Sequence, residues 1–284
     1  TALPAQMPAP DASALRVENH PIEGTDGPVP VRISRPLPQH GAVPGLLYIH
    51  GGGFVVGNLE TEHGGAIALA NALGIVLVSV DYRLAPEHPY PAGLHDCEAA
   101  FLWSLANAAG LGIDAARFGV CGQSAGGGLA AALCLLRRDR GGPRPCFQFL
   151  GIPELDDRLQ TPSMRAFTDT PMWNRPAAEL SWRYYLGALE PGSAEVPPHA
   201  APAREQDLAG LPPACVTVME FDPLRDEGLH YAQRLLQAGV SVEVHGYPGT
   251  FHGSSLIADA TISRRAQADM FAAIARGLGL PPGV

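Results

Sequence analysis

The chain contains no lysine, and all 19 of its basic residues are arginines. This absence excludes catalysis through a lysine Schiff base or a serine–lysine pair, and it excludes nucleotide binding through a P-loop lysine. The basic residues are outnumbered by 28 acidic ones, so the formal net charge is −9. A surface of that sign repels phosphate groups, which argues against a nucleic acid or an anionic membrane as a partner.

Two further absences bear on location. The sequence has no run of about 18 apolar residues, the length that a membrane-spanning helix needs. Residues 1–10 show neither the basic nor the apolar region of a signal peptide. The five cysteines lie in apolar segments without paired spacing, which is typical of reduced thiols. Together these features predict a cytoplasmic protein.

Apolar segments alternate with helical patterns along most of the 284 residues. Near-continuous apolar runs separated by helices are typical of parallel strands covered on both faces, so we predict one α/β domain over residues 1–284. The predicted strands are 16–22, 29–35, 45–49, 75–80, 117–121, 146–152, 214–220 and 240–247. The predicted helices are 61–73, 94–109, a helix after residue 124 that ends near 138, 225–238 and 259–278.

Ser124 is the centre of the pentapeptide Gly122-Gln123-Ser124-Ala125-Gly126, which lies between a predicted strand and a helix-forming stretch. A serine on such a turn is a nucleophile elbow, in which the hydroxyl is held exposed above a sheet. The flanking glycines are needed because a side chain would clash in so sharp a turn. The pentapeptide alone is a weak signal, and the strand before it and the helix after it give it weight.

A second motif, His-Gly-Gly-Gly, directly follows an early predicted strand. A glycine run at this place supplies backbone N–H groups that stabilise an oxyanion. We expect three such donors, the N–H groups of Gly52, Gly53 and Ala125. The other two residues of the motif, His50 and Gly51, support the loop. The two motifs together predict an acyl-transfer site.

A serine nucleophile needs a base to take its proton and an acid to orient that base. In folds with a nucleophile elbow, the three residues follow along the chain in the order serine, acid, histidine. His252 lies in a glycine-bounded loop just past the last predicted strand, at the edge where Ser124 is expected. Asp222 follows the preceding strand in the same way, whereas the rival Glu220 falls within or at the end of that strand. The other downstream histidines fall in the inserted segment, a helix and a strand: His199, His230 and His245. We therefore predict Ser124 as nucleophile, His252 as base and Asp222 as acid.

Residues 154–207 interrupt the alternation of strands and helices and carry several prolines. An insertion between two core strands leaves the sheet at its carboxyl edge, where the active sites of open α/β folds lie. We interpret this segment as a cap over the substrate pocket, with a contribution from the Pro/Ala-rich segment 1–15. The alternative is that the segment 154–207 packs on the domain away from the site and does not border the substrate pocket. The aromatic residues that would form the roof are Trp173, Trp182, Tyr184 and Tyr185.

Five motifs in this order resemble the bacterial hormone-sensitive-lipase-like (family IV) esterases: residues 50–54, 81–88, 122–127, 222–227 and 251–253. The resemblance implies an α/β-hydrolase fold with a mostly parallel eight-stranded sheet, helices on both faces and a cap. It implies a serine carboxylesterase that acts on small-molecule esters with short acyl chains through an acyl-enzyme, with neither a cofactor nor a metal. It is also compatible with a homodimer.

The chain departs from the family pattern at three places. Gln123 stands where the family usually has aspartate, so a charge interaction is lost there. Glu154 stands where an apolar residue is expected, either as a specificity feature or as a solvated side chain. The arm before the first strand is shorter than in relatives. Within the motif 81–88, we expect Asp81 and Arg83 to form an internal ion pair.

Two alternative functions remain open at this stage. Some plant relatives are non-catalytic small-molecule receptors on the same scaffold, but receptors of that kind lack the histidine that His252 supplies here. The same triad can also hydrolyse amides, carbonates or lactones, and sequence separates these from esters poorly.

Overall fold

The computed structural model describes residues 11–281. Its strands are β1 (Leu15–Gly24), β2 (Gly27–Pro36), β3 (Val43–Ile49), β4 (Val76–Val80), β5 (Ile113–Gln123), β6 (Gln148–Gly151), β7 (Ala214–Phe221) and β8 (Val242–Phe251). Its helices are α1 (His63–Leu73), α2 (Ala92–Ala106), α3 (Ala108–Leu111), α4 (Ala125–Arg140), α5 (Pro162–Ala166), α6 (Arg175–Leu186), α7 (Arg225–Gln237) and α8 (Thr261–Gly277). Short 3-10 turns lie at Pro202–Arg204 and Ser254–Leu256.

The eight strands form one sheet in the order β1-β2-β4-β3-β5-β6-β7-β8. The β1–β2 and β2–β4 pairs are antiparallel, and all pairs from β4 through β8 are parallel. The predicted mostly parallel eight-stranded sheet of the α/β-hydrolase fold is therefore confirmed. The carboxyl ends of the parallel strands meet at one edge, and the candidate site lies there.

Helices cover both faces of the sheet, which explains why the central strands are almost wholly apolar. Successive side chains of β3 point to opposite faces, so Leu46 and Tyr48 pack in the core beneath α1 and α8. Leu47 and Ile49 pack in the larger core beneath α2, α4 and α7. Both faces of each central strand are thus buried.

Glycines allow α4 to lie directly against the end of β3. A Cβ atom on Gly126 would stand 2.2 Å from the carbonyl oxygen of Ile49, and one on Gly122 would stand 2.1 Å from the carbonyl oxygen of Gly126. Backbone atoms cannot give way to such a side chain, so both positions require glycine. This close approach brings the start of α4 beside the loop that follows β3.

Three predicted boundaries differ from the structure by three residues or more, and one of them is the start of β5, at Ile113 instead of 117. The last strand was expected to end at 247, but β8 continues to Phe251 and pairs there with Phe221 of β7 after an irregularity in register. Gly249, which bounds the predicted loop around His252, lies within β8 instead, because pairing with the neighbouring strand prevails over the weakness of glycine in strands. The helix expected at 94–109 ends at Ala106 and is followed by the separate short helix α3.

The segment between β6 and β7 carries α5, α6 and the Pro202–Arg204 turn. Helix α6 is preceded by the N-cap residue Asn174, whose side-chain oxygen accepts the N–H of Ala177 at 3.1 Å and so fixes where the helix starts. Of the N-terminal segment 1–15, residues 1–10 lie outside the described range. Leu15 belongs to the core beneath α1 and α8. Within residues 11–281, no helix is both long and apolar enough to cross a membrane.

Candidate active site

Ser124 lies between the end of β5 and the start of α4, on a strained turn. Its backbone has φ 55° and ψ −122°, a conformation that non-glycine residues rarely adopt. The turn is held by hydrogen bonds, because the N–H of Ser124 donates to the carbonyl of Gly151 at 2.8 Å and its carbonyl accepts the N–H of Gly128 at 3.0 Å. The strain therefore persists and keeps the hydroxyl above the sheet edge.

The structure brings the side chains of Ser124, His252 and Asp222 into one hydrogen-bonded chain. The Oγ atom of Ser124 lies 2.9 Å from Nε2 of His252, and Nδ1 of His252 lies 2.7 Å from Oδ2 of Asp222. A carboxylate only accepts hydrogen bonds, so Nδ1 carries the ring proton and Nε2 accepts from the serine hydroxyl. The other carboxylate oxygen of Asp222 accepts the N–H of Leu224 at 2.9 Å, which fixes its orientation.

The loop after β3 presents free N–H groups next to the serine. Gly52 and Gly53 have φ of +120° and +57°, and the carbonyl of Gly52 accepts the N–H groups of Val55 and Val56. Within residues 11–281, no hydrogen bond occupies the N–H of Gly52, Gly53 or Ala125. The three predicted oxyanion donors are therefore available.

A carboxylate that sequence reasoning missed holds this loop in place. The N–H of Gly51 donates to Oε1 of Glu62 at 2.9 Å, and the hydroxyl of Tyr48 donates to Oε2 of the same side chain at 2.7 Å. Glu62 stands directly before α1, at the N-cap position, whereas the sequence placed it inside the predicted helix 61–73. Because its contacts are with residues on another element, no local signal revealed them.

His50 anchors the start of the loop. Its Nδ1 donates to the carbonyl of Gly51 at 2.8 Å, and its ring stacks on Tyr82 with centroids 4.2 Å apart. The hydroxyl of Tyr82 donates to the carbonyl of His50 at 3.0 Å. Burial lowers the pKa of His50, so the imidazole is neutral near pH 7 and acts as a structural hydrogen-bonding group.

Residues of the inserted segment lie against the loop and the triad. The Trp173 ring lies 5.6 Å from the His252 ring, centroid to centroid, and a Cβ atom on Gly53 would stand 2.6 Å from the same indole. The hydroxyl of Ser181, on α6, donates to the carbonyl of Gly53 at 2.9 Å. Ser124 and His252 are each only 7% exposed, so the approach to the nucleophile is narrow.

Glu154 is fully buried beside the nucleophile, so the alternative of a solvated side chain is wrong. Its N–H donates to the carbonyl of Ser124 at 3.1 Å. Burial raises the pKa of Glu154 to about 8, against an opposing effect of the Ser181 hydroxyl. The carboxyl is therefore mostly protonated at neutral pH.

The rival candidates lie away from the serine. Glu220 is exposed and accepts the N–H of Gly249 at 2.6 Å. Of the other histidines, His199 pairs with Asp139 and His245 pairs with Glu243, and His230 is exposed on α7. In the described part of the chain, no group of three or more histidine, cysteine or acidic side chains is arranged to hold a metal ion.

The expected ion pair between Asp81 and Arg83 is wrong. Arg83 instead makes a two-point contact with Asp96 of α2, at 2.9 Å for both Nε–Oδ2 and Nη2–Oδ1, and it also reaches Asp26 at 3.3 Å. Proximity in the chain suggested Asp81, but the segment turns so that the guanidinium faces α2. At Gln123, the side-chain amide donates to the sulfur of Met270 at 3.5 Å, a neutral contact where a charge was expected in relatives.

Comparisons with known proteins agree with this geometry. The alpha/beta hydrolase fold family matches residues 46–256. The esterase LipI of Mycobacterium tuberculosis is 41% identical over 253 residues, which cover 88% of this chain and 78% of LipI. The ethyl acetate hydrolase of Pseudomonas putida is 35% identical over 229 residues, which cover 79% of this chain and 70% of that protein.

A solved structure, of a bacterial heroin esterase, superposes with a TM-score of 0.94 at 50% identity and covers 95% of this chain and 87% of that one. The family match includes the elbow and the glycine loop, and the relatives exceed 30% identity over most of the chain. This chain therefore belongs to the alpha/beta-hydrolase-fold family and, within it, to the hormone-sensitive-lipase-like esterases.

Proposed function

We propose that this carboxylic ester hydrolase uses Ser124 as its nucleophile, His252 as general base and acid, and Asp222 to orient His252. One observation carries the assignment: the continuous hydrogen-bonded chain from the serine hydroxyl through the imidazole to the buried carboxylate. Its members come from three separate loops at the carboxyl edge of the sheet, an arrangement that packing alone does not require. Esterase names among relatives at 41% and 50% identity support ester hydrolysis as the reaction.

The reaction proceeds through an acyl-enzyme. The oxygen of Ser124 attacks the ester carbonyl while Nε2 of His252 takes its proton, and the N–H groups of Gly52, Gly53 and Ala125 stabilise the oxyanion. The protonated imidazole then gives the proton to the leaving alkoxide as the carbon–oxygen bond breaks. A water molecule repeats the sequence and releases the carboxylic acid, which restores the free serine.

Short acyl chains are the substrates that the site favours. Trp173 lies against the triad histidine and Ser181 ties α6 to the glycine loop, so the segment 154–207 acts as a cap on a single domain. A relative whose name specifies ethyl acetate, a very small ester, supports this preference. We therefore expect the capped site to offer little apolar wall to long acyl chains.

The nucleophile is tested with a p-nitrophenyl phosphonate followed by peptide mass spectrometry. We expect stoichiometric labelling of Ser124 and a fall in kcat for p-nitrophenyl butyrate of about 10⁴-fold or more in Ser124→Ala. Ser255→Ala, an exposed serine three residues after His252, is the matched control and should keep its activity. Labelling at another serine, or substantial activity in Ser124→Ala, would contradict the assignment.

We also propose a cytoplasmic location and a homodimer. Four of the five free cysteines are buried in the core, which suits a reducing compartment: Cys97, Cys121, Cys134 and Cys215. Cell fractionation tests the location. Light scattering on the purified protein tests the homodimer, and a monomeric mass would reject it.

A further inference from the structure

A cavity of about 380 Å³ lies between α7 and the segment 154–207. Asp156 and Arg158 line it from that segment, and residues of α7 line its other side. Neither the triad nor the glycine loop contributes to its lining, so the cavity is separate from the catalytic site. Its volume falls within the range of small-molecule sites, about 300 to 1,000 Å³.

The face of α7 that lines the cavity is polar. Its four residues follow one another at spacings of three and one, so they share one side of the helix: Glu227, His230, Tyr231 and Arg234. The segment 154–207 covers this face. The N–H of Leu155 donates to Oε1 of Glu227 at 2.6 Å, and on the next turns Arg234 donates to the segment as well. A covered helix face is normally apolar, so a polar one indicates that these side chains have polar partners.

Glu227 and Tyr231 each keep one buried polar atom without a partner. The two residues are 2% and 1% exposed. Oε1 of Glu227 accepts the N–H groups of Leu155 and Asp156, whereas Oε2 has no hydrogen-bond partner within residues 11–281. The hydroxyl of Tyr231 has none there either. Buried polar groups nearly always have a partner, so two unpaired ones on residues that line a cavity point to a partner inside it.

Both unpaired groups are hydrogen-bond donors. Burial raises the pKa of Glu227 well above its usual range, so the carboxyl is protonated at neutral pH. Since Oε1 already accepts two N–H groups, the hydrogen lies on Oε2. The Tyr231 hydroxyl also carries a hydrogen to donate. The missing partner is therefore an acceptor.

The charges around the cavity leave one arginine uncompensated. Arg158 makes a two-point contact with Asp156, at 2.6 Å for Nε–Oδ1 and 2.9 Å for Nη2–Oδ2, so these charges balance. Arg234 forms no salt bridge within residues 11–281, and its guanidinium donates to backbone carbonyls instead. Because Glu227 is neutral, one positive charge remains. An acceptor with a single negative charge would balance it.

We propose that this cavity binds a small carboxylate anion, held by the side chains of Arg234, Tyr231 and Glu227. A carboxylate has one negative charge for the arginine and enough lone pairs to accept from both O–H groups. Hydrogen bonds to an ionised acceptor are also stronger than those between neutral groups. The site lies outside the catalytic centre and goes beyond the proposed esterase function.

The experiment measures binding with the catalytic pocket closed. The protein is first labelled at Ser124 with the phosphonate, and trifluorobutyrate is then titrated and followed by fluorine NMR at neutral pH. Trifluorobutyramide has nearly the same shape without the charge. We expect the carboxylate to bind with a Kd of about 1 mM and the amide to bind at least about tenfold more weakly.

Two variants test the residues of the site. Tyr231→Phe removes only the unpaired hydroxyl, so affinity for the carboxylate should fall about fivefold or more. Without ligand the variant should unfold at the same temperature as the unsubstituted protein or above it, because no internal hydrogen bond is lost. Arg234→Gln should weaken binding about tenfold or more. Arg183→Gln is the matched control, because it removes an equal charge from an exposed position of α6, and it should keep the affinity.

Absence of binding to the labelled protein, or equal affinities for the carboxylate and the amide, would overturn the proposal. An unchanged affinity in Tyr231→Phe would do so as well, and this variant decides the matter if Arg234→Gln fails to fold. Failure of the phosphonate to label Ser124 would count against the nucleophile and not against the cavity. The titration is then made on unlabelled protein, where a loss of affinity in Tyr231→Phe supports the site and an unchanged affinity overturns it.

Discussion

The Nδ1 atom of His252 lies 2.7 Å from Oδ2 of Asp222, whereas the carboxylate of Glu220, two residues earlier, accepts the N–H of Gly249 instead. Asp222 is 1% exposed and Glu220 is exposed. Only one of the two acids is therefore placed to orient the imidazole.

Asp222→Asn should fold normally and lose about 10³ to 10⁴ in kcat, because an amide can donate to Nδ1 and favours the wrong imidazole tautomer. Glu220→Gln removes a neighbouring charge without touching His252, and it should change kcat little. Both variants are assayed with p-nitrophenyl butyrate, and circular dichroism checks their folding. A larger loss in Glu220→Gln than in Asp222→Asn would reverse the assignment.

Gly52→Ala should disrupt the oxyanion donors. Gly52 has φ +120°, and an added Cβ atom would stand 2.0 Å from the carbonyl oxygen of Val56, so the loop must move. We expect kcat to fall by about 10²- to 10³-fold, the effect of losing an oxyanion donor, with a smaller change in KM. Gly64→Ala is the control, because a Cβ atom there meets nothing within 4 Å, and it should retain full activity.

Glu154→Gln should stabilise the protein increasingly as the pH rises. The folded-state pKa of Glu154, about 8, lies above the ordinary glutamate pKa of 4.5, so between these values the folded protein holds a proton that the unfolded chain has lost. The free energy of unfolding therefore falls as the pH increases through this window, by about 1.4 kcal/mol per pH unit at most. Above the window it levels off.

The stability difference is measured as the free energy of unfolding in urea at pH 5 and pH 8. The free energy of unfolding of Glu154→Gln should exceed that of the unsubstituted protein by more at pH 8 than at pH 5. The change in this excess between the two pH values is on the order of 4 kcal/mol at the upper limit. The exposed acid Glu179 provides the control, and Glu179→Gln should show no such difference between the two pH values. An equal advantage at both pH values would contradict the raised pKa.

Acyl-chain preference should peak at about four to six carbons and fall by about ten, because each methylene contributes about 0.8 kcal/mol only while apolar wall remains to bury it. The test is kcat/KM for p-nitrophenyl esters of increasing chain length. Trp173→Ala removes the ring beside Gly53 and His252, so it should shift the peak toward longer chains. Rates that keep rising to about twelve carbons would indicate a lipase rather than a small-ester hydrolase.

Much of the architecture was predictable because its signals are local. The strand–serine–helix pattern around Ser124 and the glycine run at His50–Gly53 depend on backbone conformations that a few neighbouring residues decide. The near-continuous apolar runs predicted parallel strands, and the eight-stranded sheet is confirmed. The positions of Asp222 and His252 followed from one topological rule, that residues just past parallel strands meet at the same edge.

The tertiary structure decided which side chains meet. Arg83, in the loop after β4, pairs with Asp96 on helix α2 rather than with nearby Asp81, and Glu62 holds the glycine loop from the start of α1. Glu154 is likewise fully buried, and the Ser181 hydroxyl of α6 acts on its carboxyl, a contact that the immediate sequence neighbours of Glu154 do not reveal. Sequence by itself determined the elements, the family and the candidate triad, since these depend on short-range backbone preferences and strand order. Partners and burial depend on contacts between elements remote in sequence, and only the packed fold settles those.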